Sequence, residues 1–170
     1  MRNYSKYFIG CDNGTSGSIA IIGYSPEGLS LYHFKTPTKV QQNYTKKKGN
    51  ITRVDGKMLM DIFSKSIPPG AQVYVMMERP MVNPTRFQAT ISAIRALEAT
   101  LTIIETLKYS YEYVDSKAWQ RELLPQGVSG PDLKIASLRV GERKYPGRLI
   151  PGHPDADGLL IAHYCMLKYK

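Results

Sequence analysis

The residues of this chain best placed to do chemistry are carboxylates that close apolar runs. Asp12 follows the run Tyr7–Cys11, Glu78 follows Gln72–Met77, and Asp157 stands at the head of Gly158–Ala162. A charge at the edge of a buried strand is costly unless a partner or a metal satisfies it. Two carboxylates close enough to repel raise each other's pKa, and a divalent cation relieves both. Hard oxygen ligands of this kind suit Mg²⁺, with Mn²⁺ as a substitute. Two such ions about 4 Å apart would activate a water and stabilise the leaving oxygen in phosphodiester hydrolysis. His153 and Asp155, just ahead of Asp157, are both available as a fourth member. Each acid also has an ordinary reading. Asp12 can shape the Asn13-Gly14 turn, Glu78 can pair with Arg79, and Asp157 can favour a helix start. Those readings must coincide three times, in order, to replace the metal site.

The elements that would carry these acids follow from pattern. Tyr7–Cys11 and Ser18–Tyr24, joined by turn residues, predict a hairpin, and the turn Ser25-Pro26-Glu27-Gly28 leads into a third strand over Leu29–Lys35. Thr36 to Asn50 is polar and reads as a mobile loop, with Tyr44 beside Lys46, Lys47 and Lys48. Those lysines can hold phosphates while the ring stacks, or they can be a solvated loop. Asp55 can cap a helix running to about Ser66, ended by Pro68-Pro69-Gly70. Gln72–Met77 is a strand that must stop at Arg79-Pro80. Phe87, Ile91, Ile94, Leu97, Leu101 and Ile104 recur at helical spacing and predict a long amphipathic helix to about Leu107. Tyr111–Val114 is a further strand, and Ser116 can cap a short helix holding Trp119, which reads as core packing. Asp132 to about Lys144 is helical with Lys134 in its first turn, and a last helix runs from Asp157 almost to the end.

Three antiparallel strands followed by alternating helices and strands imply an α/β fold. Its mixed five-stranded sheet would have three antiparallel strands, then two parallel ones, with helices on both faces. The first strand and the strand after the first crossover then become neighbours, which sets Asp12 beside Glu78. The 170 residues fit one domain, 1–170. Lys and Arg number 23 against 14 Asp and Glu, a formal net charge of +9 that favours a polyanion, above all nucleic acid. Two cysteines, Cys11 and Cys165, offer neither metal spacing nor a disulfide framework and read as free thiols. With no signal-peptide core and no membrane-length apolar run, a cytosolic protein is expected.

IGCDNGTSGSIAII, VYVMMERP, VDSKAW, the helix containing Lys134, and HPDADGLLIAHY, in that order, resemble the RuvC-like Holliday junction resolvases of the RNase H-like superfamily, particularly their phage and chloroplast branches. The resemblance spans most of the chain. It implies a homodimer with two active sites and Mg²⁺-dependent nicking of symmetrically placed strands at four-way DNA junctions, with no nucleotide cofactor and no membrane. It implies that Asp12, Glu78 and Asp157 ligate metal. Lys134 would hold the scissile phosphate or stabilise developing charge; apart from the resemblance, the basic residues Lys46, Lys47, Lys48 and Arg79 are the candidates for DNA contact. Family members carry an acid or His three or four residues before the last Asp. Pro154 lies three before and cannot ligate. His153, four before and one helical turn away if the helix begins early, is favoured over Asp155, two before. Imidazole would be a softer ligand, or a general base.

Two rivals stand beside this reading. Asp12-Asn13-Gly14-Thr15 also looks like the phosphate motif of actin-like and sugar-kinase ATPases, but those enzymes close nucleotide between two such domains and this length holds one. The other rival is a non-catalytic branched-DNA-binding protein whose acids are structural.

Overall fold

The computed structural model describes residues 5–25, 28–46 and 48–170. Lys47 and the turn residues Pro26 and Glu27 lie outside the described residues. In chain order the elements are β1 (Lys6–Cys11), β2 (Ser18–Ser25), β3 (Gly28–Lys35), β4 (Thr38–Gln42), β5 (Asn50–Val54), α1 (Gly56–Ser66), β6 (Gln72–Glu78), α2 (Phe87–Thr106), β7 (Ser110–Val114), α3 (Ser116–Leu123), α4 (Asp132–Lys144) and α5 (Asp157–Tyr169). A short 3₁₀ turn, Pro84–Arg86, leads into α2.

Five strands form one sheet in the order β3-β2-β1-β6-β7. β1, β2 and β3 pair antiparallel, whereas β6 and β7 run parallel to β1. This is the mixed sheet that the sequence predicts. Period-two alternation divides its side chains between two layers. Ile9, Cys11, Ile19, Ile21, Val75 and Met77 pack against Leu59 and Phe63 of α1 and Ile103 and Ile104 of α2. Phe8, Ala20, Ile22 and Met76 face Trp119 of α3, Val140 of α4 and Leu159–Ala162 of α5. Both cysteines are buried and free.

Two glycines decide how deeply α5 sits. A Cβ at Gly10 would lie 2.1 Å from the backbone nitrogen of Ala162 and 2.4 Å from the carbonyl oxygen of Gly158. A Cβ at Gly158 would lie 2.4 Å from the Ser18 carbonyl oxygen. Backbone therefore meets backbone at this crossing, and the start of α5 is drawn down to the end of β1. The Ser18 hydroxyl accepts from the Gly158 amide at 3.2 Å and satisfies one of the free N–H groups at the helix start.

The segment 36–50, expected as a loop, instead contains a strand: β4 pairs antiparallel with β5, which begins at Asn50, while the described residues between them, 43–46 and 48–49, are loop. Neither TKVQQ nor NITRV carries an apolar face, so the period-two signal that reveals half-buried strands is absent from them. Asp55 caps α1 as expected, accepting from the Met58 amide at 3.2 Å. Ser116 does not cap α3. The cap position belongs to Asp115, which makes no side-chain cap bond, and Ser116 is the first helical residue. Among the described residues no helix is long and apolar enough to cross a membrane.

Candidate active site

Asp12 and Glu78 meet because of strand register. β1 and β6 pair in parallel with Cys11 opposite Met77, so the next residue of each strand emerges from the same sheet edge. Asp12 keeps the hairpin closed through its amide, which donates to the Ser18 carbonyl at 3.0 Å. Its carboxyl group hydrogen-bonds with that of Glu78. Burial, above all, holds Asp12 well above the ordinary carboxylate range, and the charges of Glu78, Asp157 and Asp155 push the same way. Burial likewise raises Glu78, against hydrogen bonds from Trp119, Asp12 and Ser116 that favour its charged form. Trp119 Nε1 donates to Glu78 Oε1 at 3.3 Å.

α5 brings the third acid. Asp157 is its first residue, and the positive end of the helix favours a carboxylate there. Ser137 Oγ donates to Asp157 Oδ1 and accepts from the Ala156 amide at 3.0 Å, so one hydroxyl ties α4 to the start of α5. Burial nevertheless pushes Asp157 up to about 7, helped by Asp155 and Glu78 and opposed by Ser137 and Lys134.

The segment ahead of α5 separates the two candidates for the fourth position. The helix begins at Asp157, so 153–156 are not helical and the one-turn relation between His153 and Asp157 does not exist. His153 is buried, with Nδ1 2.9 Å from the Asp155 carbonyl oxygen and Nε2 3.3 Å from the Ser16 carbonyl oxygen. A neutral ring donates from one of these nitrogens only; the ring packs between the Ser16 carbonyl and Asp155, with Nδ1 also 3.5 Å from Asp155 Oδ1, so its nearest acid is Asp155 rather than Asp12, Glu78 or Asp157. Asp155, also buried, acts electrostatically on Asp12, Glu78 and Asp157 together. Its Oδ1 accepts from the Asp157 amide at 3.3 Å, and its Oδ2 lies 3.4 Å from Lys134 Nζ.

The other cations named from sequence lie outside this acidic corner. Arg79 turns from Glu78 to Asp115, at 3.1 Å, and covers the Tyr113 ring at 5.5 Å. Lys46 and Lys48 are exposed in the connection beyond β4. The Tyr44 ring is already engaged: Arg95 Nη1 of α2 donates to its hydroxyl at 2.5 Å.

Sequence reasoning missed several supporting contacts. Ser137 carried a signal, because it lies three residues after Lys134 on the same face of α4. Asn13 Nδ2, which donates to the Ala93 carbonyl of α2 at 3.2 Å, carried none, and neither did Trp119 as a hydrogen-bond donor to an acid. His33, on β3, is pushed by burial down to about 4, and neither ring nitrogen has a hydrogen-bond partner of good geometry among the described residues.

Among the described residues no three of the His, Cys, Asp and Glu side chains close into a ready-made ligand cage. The donor chemistry still fits a hard divalent cation. Four carboxylates share one corner, their mutual repulsion adds to their burial, and Lys134 acts against it on Asp157 and Asp155.

No protein-family model and no curated protein matches the chain. Solved structures do. Thermus thermophilus RuvC matches with a TM-score of 0.55 at 12% identity, over 96% of this chain and 95% of that one. T. thermophilus RuvC in complex with Holliday junction substrate matches with a TM-score of 0.56 at 10% identity, over the same shares, 96% and 95%. The chain has the RuvC-like form of the RNase H-like fold.

Proposed function

We propose that this chain, as a single nuclease domain over 1–170, is a structure-specific endodeoxyribonuclease that resolves four-way DNA junctions. The observation that carries the reading is the pairing of Asp12 with Glu78 at the ends of adjacent parallel strands, with Asp157 and Asp155 presented beside them by the start of α5. The shared fold with a RuvC bound to a Holliday junction supports the choice of substrate. The formal charge of +9 supports a polyanion.

In this mechanism Asp12, Glu78, Asp157 and Asp155 would hold Mg²⁺, with Mn²⁺ as a substitute. Two bound ions would supply an activated water and charge stabilisation at the leaving oxygen. Trp119 orients Glu78, and Ser137 orients Asp157. Lys134, exposed on one side and 3.4 Å from Asp155 Oδ2 on the other, would offer its ammonium to the scissile phosphate. His153 positions Asp155 and the turn at Ser16 rather than ligating. Lys46, Lys47, Lys48 and Arg79 contact phosphates further along the arms. Nicking two symmetric strands calls for two such sites, and a homodimer supplies them. The exposed Met81, Val82, Phe87 and Ile94, on α2 and the segment before it, support a contact between copies.

The test incubates the protein with labelled four-way junction, linear duplex and ATP, with and without Mg²⁺. Symmetric nicks on the junction alone, only with Mg²⁺, are expected. Asp12→Asn should bind the junction and not cut it. Cutting by that variant at the wild-type rate overturns the reading, and binding without cutting by the wild type favours a non-catalytic junction binder.

A further inference from the structure

We propose that the β4–β5 ribbon is a DNA clamp that grips the phosphate backbone of a duplex arm beside the acidic site. The proposal rests on the nuclease reading above. Its physical basis is a charge arrangement that folding alone does not favour. Lys39 and Arg53 stand directly opposite each other in the ribbon register. Like charges in that relation repel. From Thr36 to Val54 the sequence holds no Asp or Glu, and among the described residues no acidic side chain pairs with either cation. Arg53 is held along the ribbon by a neutral partner, donating to Gln41 Oε1 at 2.9 Å, so its charge is oriented without being cancelled. A two-stranded ribbon is marginal in water even without such repulsion.

Two contacts root the ribbon against the site, and a third braces the turn beside Asp12. The Thr36 amide, just before β4, donates to the Gly17 carbonyl of the turn that follows Asp12, at 3.0 Å. At the far end Tyr44 is latched to Arg95 of α2. Two residues earlier on α2, the Ala93 carbonyl receives Asn13, the neighbour of Asp12. The ribbon therefore starts at the turn carrying Asp12 and ends on the helix that braces that turn. A polyanion lying over the acids would meet the paired positive charges of Lys39 and Arg53, and a β-ribbon is narrow enough to follow a DNA groove between phosphates.

The test compares wild type, the pair Lys39→Gln with Arg53→Gln, and a charge-matched control, Lys65→Gln with Lys108→Gln, at the opposite end of the sheet. Affinity for a labelled four-way junction is measured across about 50 to 200 mM salt. The ribbon pair should weaken binding several-fold and flatten the slope of log K against log salt by about one to two, while the control leaves both near wild type. Its melting temperature should equal or exceed that of wild type, because a repulsion has been removed. An unchanged slope, a control that falls equally, or a lower melting temperature overturns the clamp. If wild type binds and nicks the junction in the same assay while the ribbon pair behaves as wild type, the clamp fails and the nuclease reading stands. If wild type does neither, the nuclease reading fails and takes the clamp with it.

Discussion

The indole nitrogen of Trp119 reaches across from α3 and donates to Glu78 Oε1 at 3.3 Å. Trp119 is fully buried, so the same side chain fills the core between sheet and helices and fixes one acid of the site. A buried tryptophan normally finds a partner for its N–H, and here the partner is a carboxylate that burial would otherwise favour in its neutral form.

Trp119→Phe separates those two roles. Phenylalanine keeps most of the packing and removes the donor, so Glu78 loses a bond that stabilises its charge. The Mg²⁺ concentration giving half-maximal nicking should rise by about 10-fold or more, as for other residues that orient a metal ligand. Junction affinity without Mg²⁺ should stay near wild type. A Mg²⁺ titration of nicking together with a gel-shift measurement checks both, and an unchanged half-maximal concentration would remove Trp119 from the site.

Pairing of Asp12 with Glu78 was legible in the sequence, because both close apolar strands and the alternation of elements makes those strands neighbours. The core of the five-stranded sheet was legible for the same reason: β1, β2 and β6 are largely buried and show as apolar runs, while the partly covered β3 and β7 followed from turn residues and element order. The ribbon was not, since Thr38–Gln42 and Asn50–Val54 bury only Val54 fully and carry no period-two pattern. The arrangement around His153 was also hidden. Spacing can relate His153 to Asp157 only if a helix joins them, and Pro154 lies in a non-helical approach whose path depends on contacts with Ser16 and Ser137.

Crowded acids make the metal-free protein sensitive to pH. Asp157 is pushed up to about 7 in the folded chain, from an ordinary value of 3.8, so the folded state holds its proton where the unfolded state has released it. Stability from this group is fully present below about pH 4 and is lost as pH rises toward 7. The slope is at most about 1.4 kcal/mol per pH unit for one group. Asp12, also raised, acts in the same direction. Thermal melts in EDTA should therefore fall between pH 5 and pH 7.5 by more than melts of Asp12→Asn, and Mg²⁺ should flatten the wild-type dependence. A wild-type profile with the same slope with and without Mg²⁺ would show that these acids do not bind the ion.

The close approach of α5 to the sheet gives a prediction about position rather than chemistry. Alanine at Gly158 would drive its Cβ to within 2.4 Å of the Ser18 carbonyl oxygen, a backbone atom that cannot swing aside. The start of α5 must lift, and Asp157 with it. A stability loss of about 1–3 kcal/mol is expected from the overpacking. Nicking should fall further than stability explains, because the third acid is displaced even in the folded fraction. Comparing melting temperature with nicking rate at a temperature where the variant remains folded tests this, and full activity in the folded variant would show that Asp157 need not sit at this depth.

Asp155 and His153 make opposite predictions for the fourth position. Asp155 acts on all three other acids and holds Lys134, whereas the His153 ring lies between the carbonyls of Ser16 and Asp155 and can donate to one of them. Asp155→Asn, which keeps size and removes charge, should reduce nicking by about 100-fold or more and leave the fold near wild type. His153→Ala should lose about 1–3 kcal/mol of stability by removing a buried ring and its hydrogen bond to one of these carbonyls. It should regain much of its activity when Mg²⁺ is raised, because its effect on the ions passes through Asp155. His153→Gln, with an amide donor on a longer side chain, should recover part of the lost stability. Nicking rates over a Mg²⁺ series, with melting temperatures for the three variants, decide the matter. A His153→Ala defect that exceeds that of Asp155→Asn at every Mg²⁺ concentration would return the fourth position to the histidine favoured by spacing.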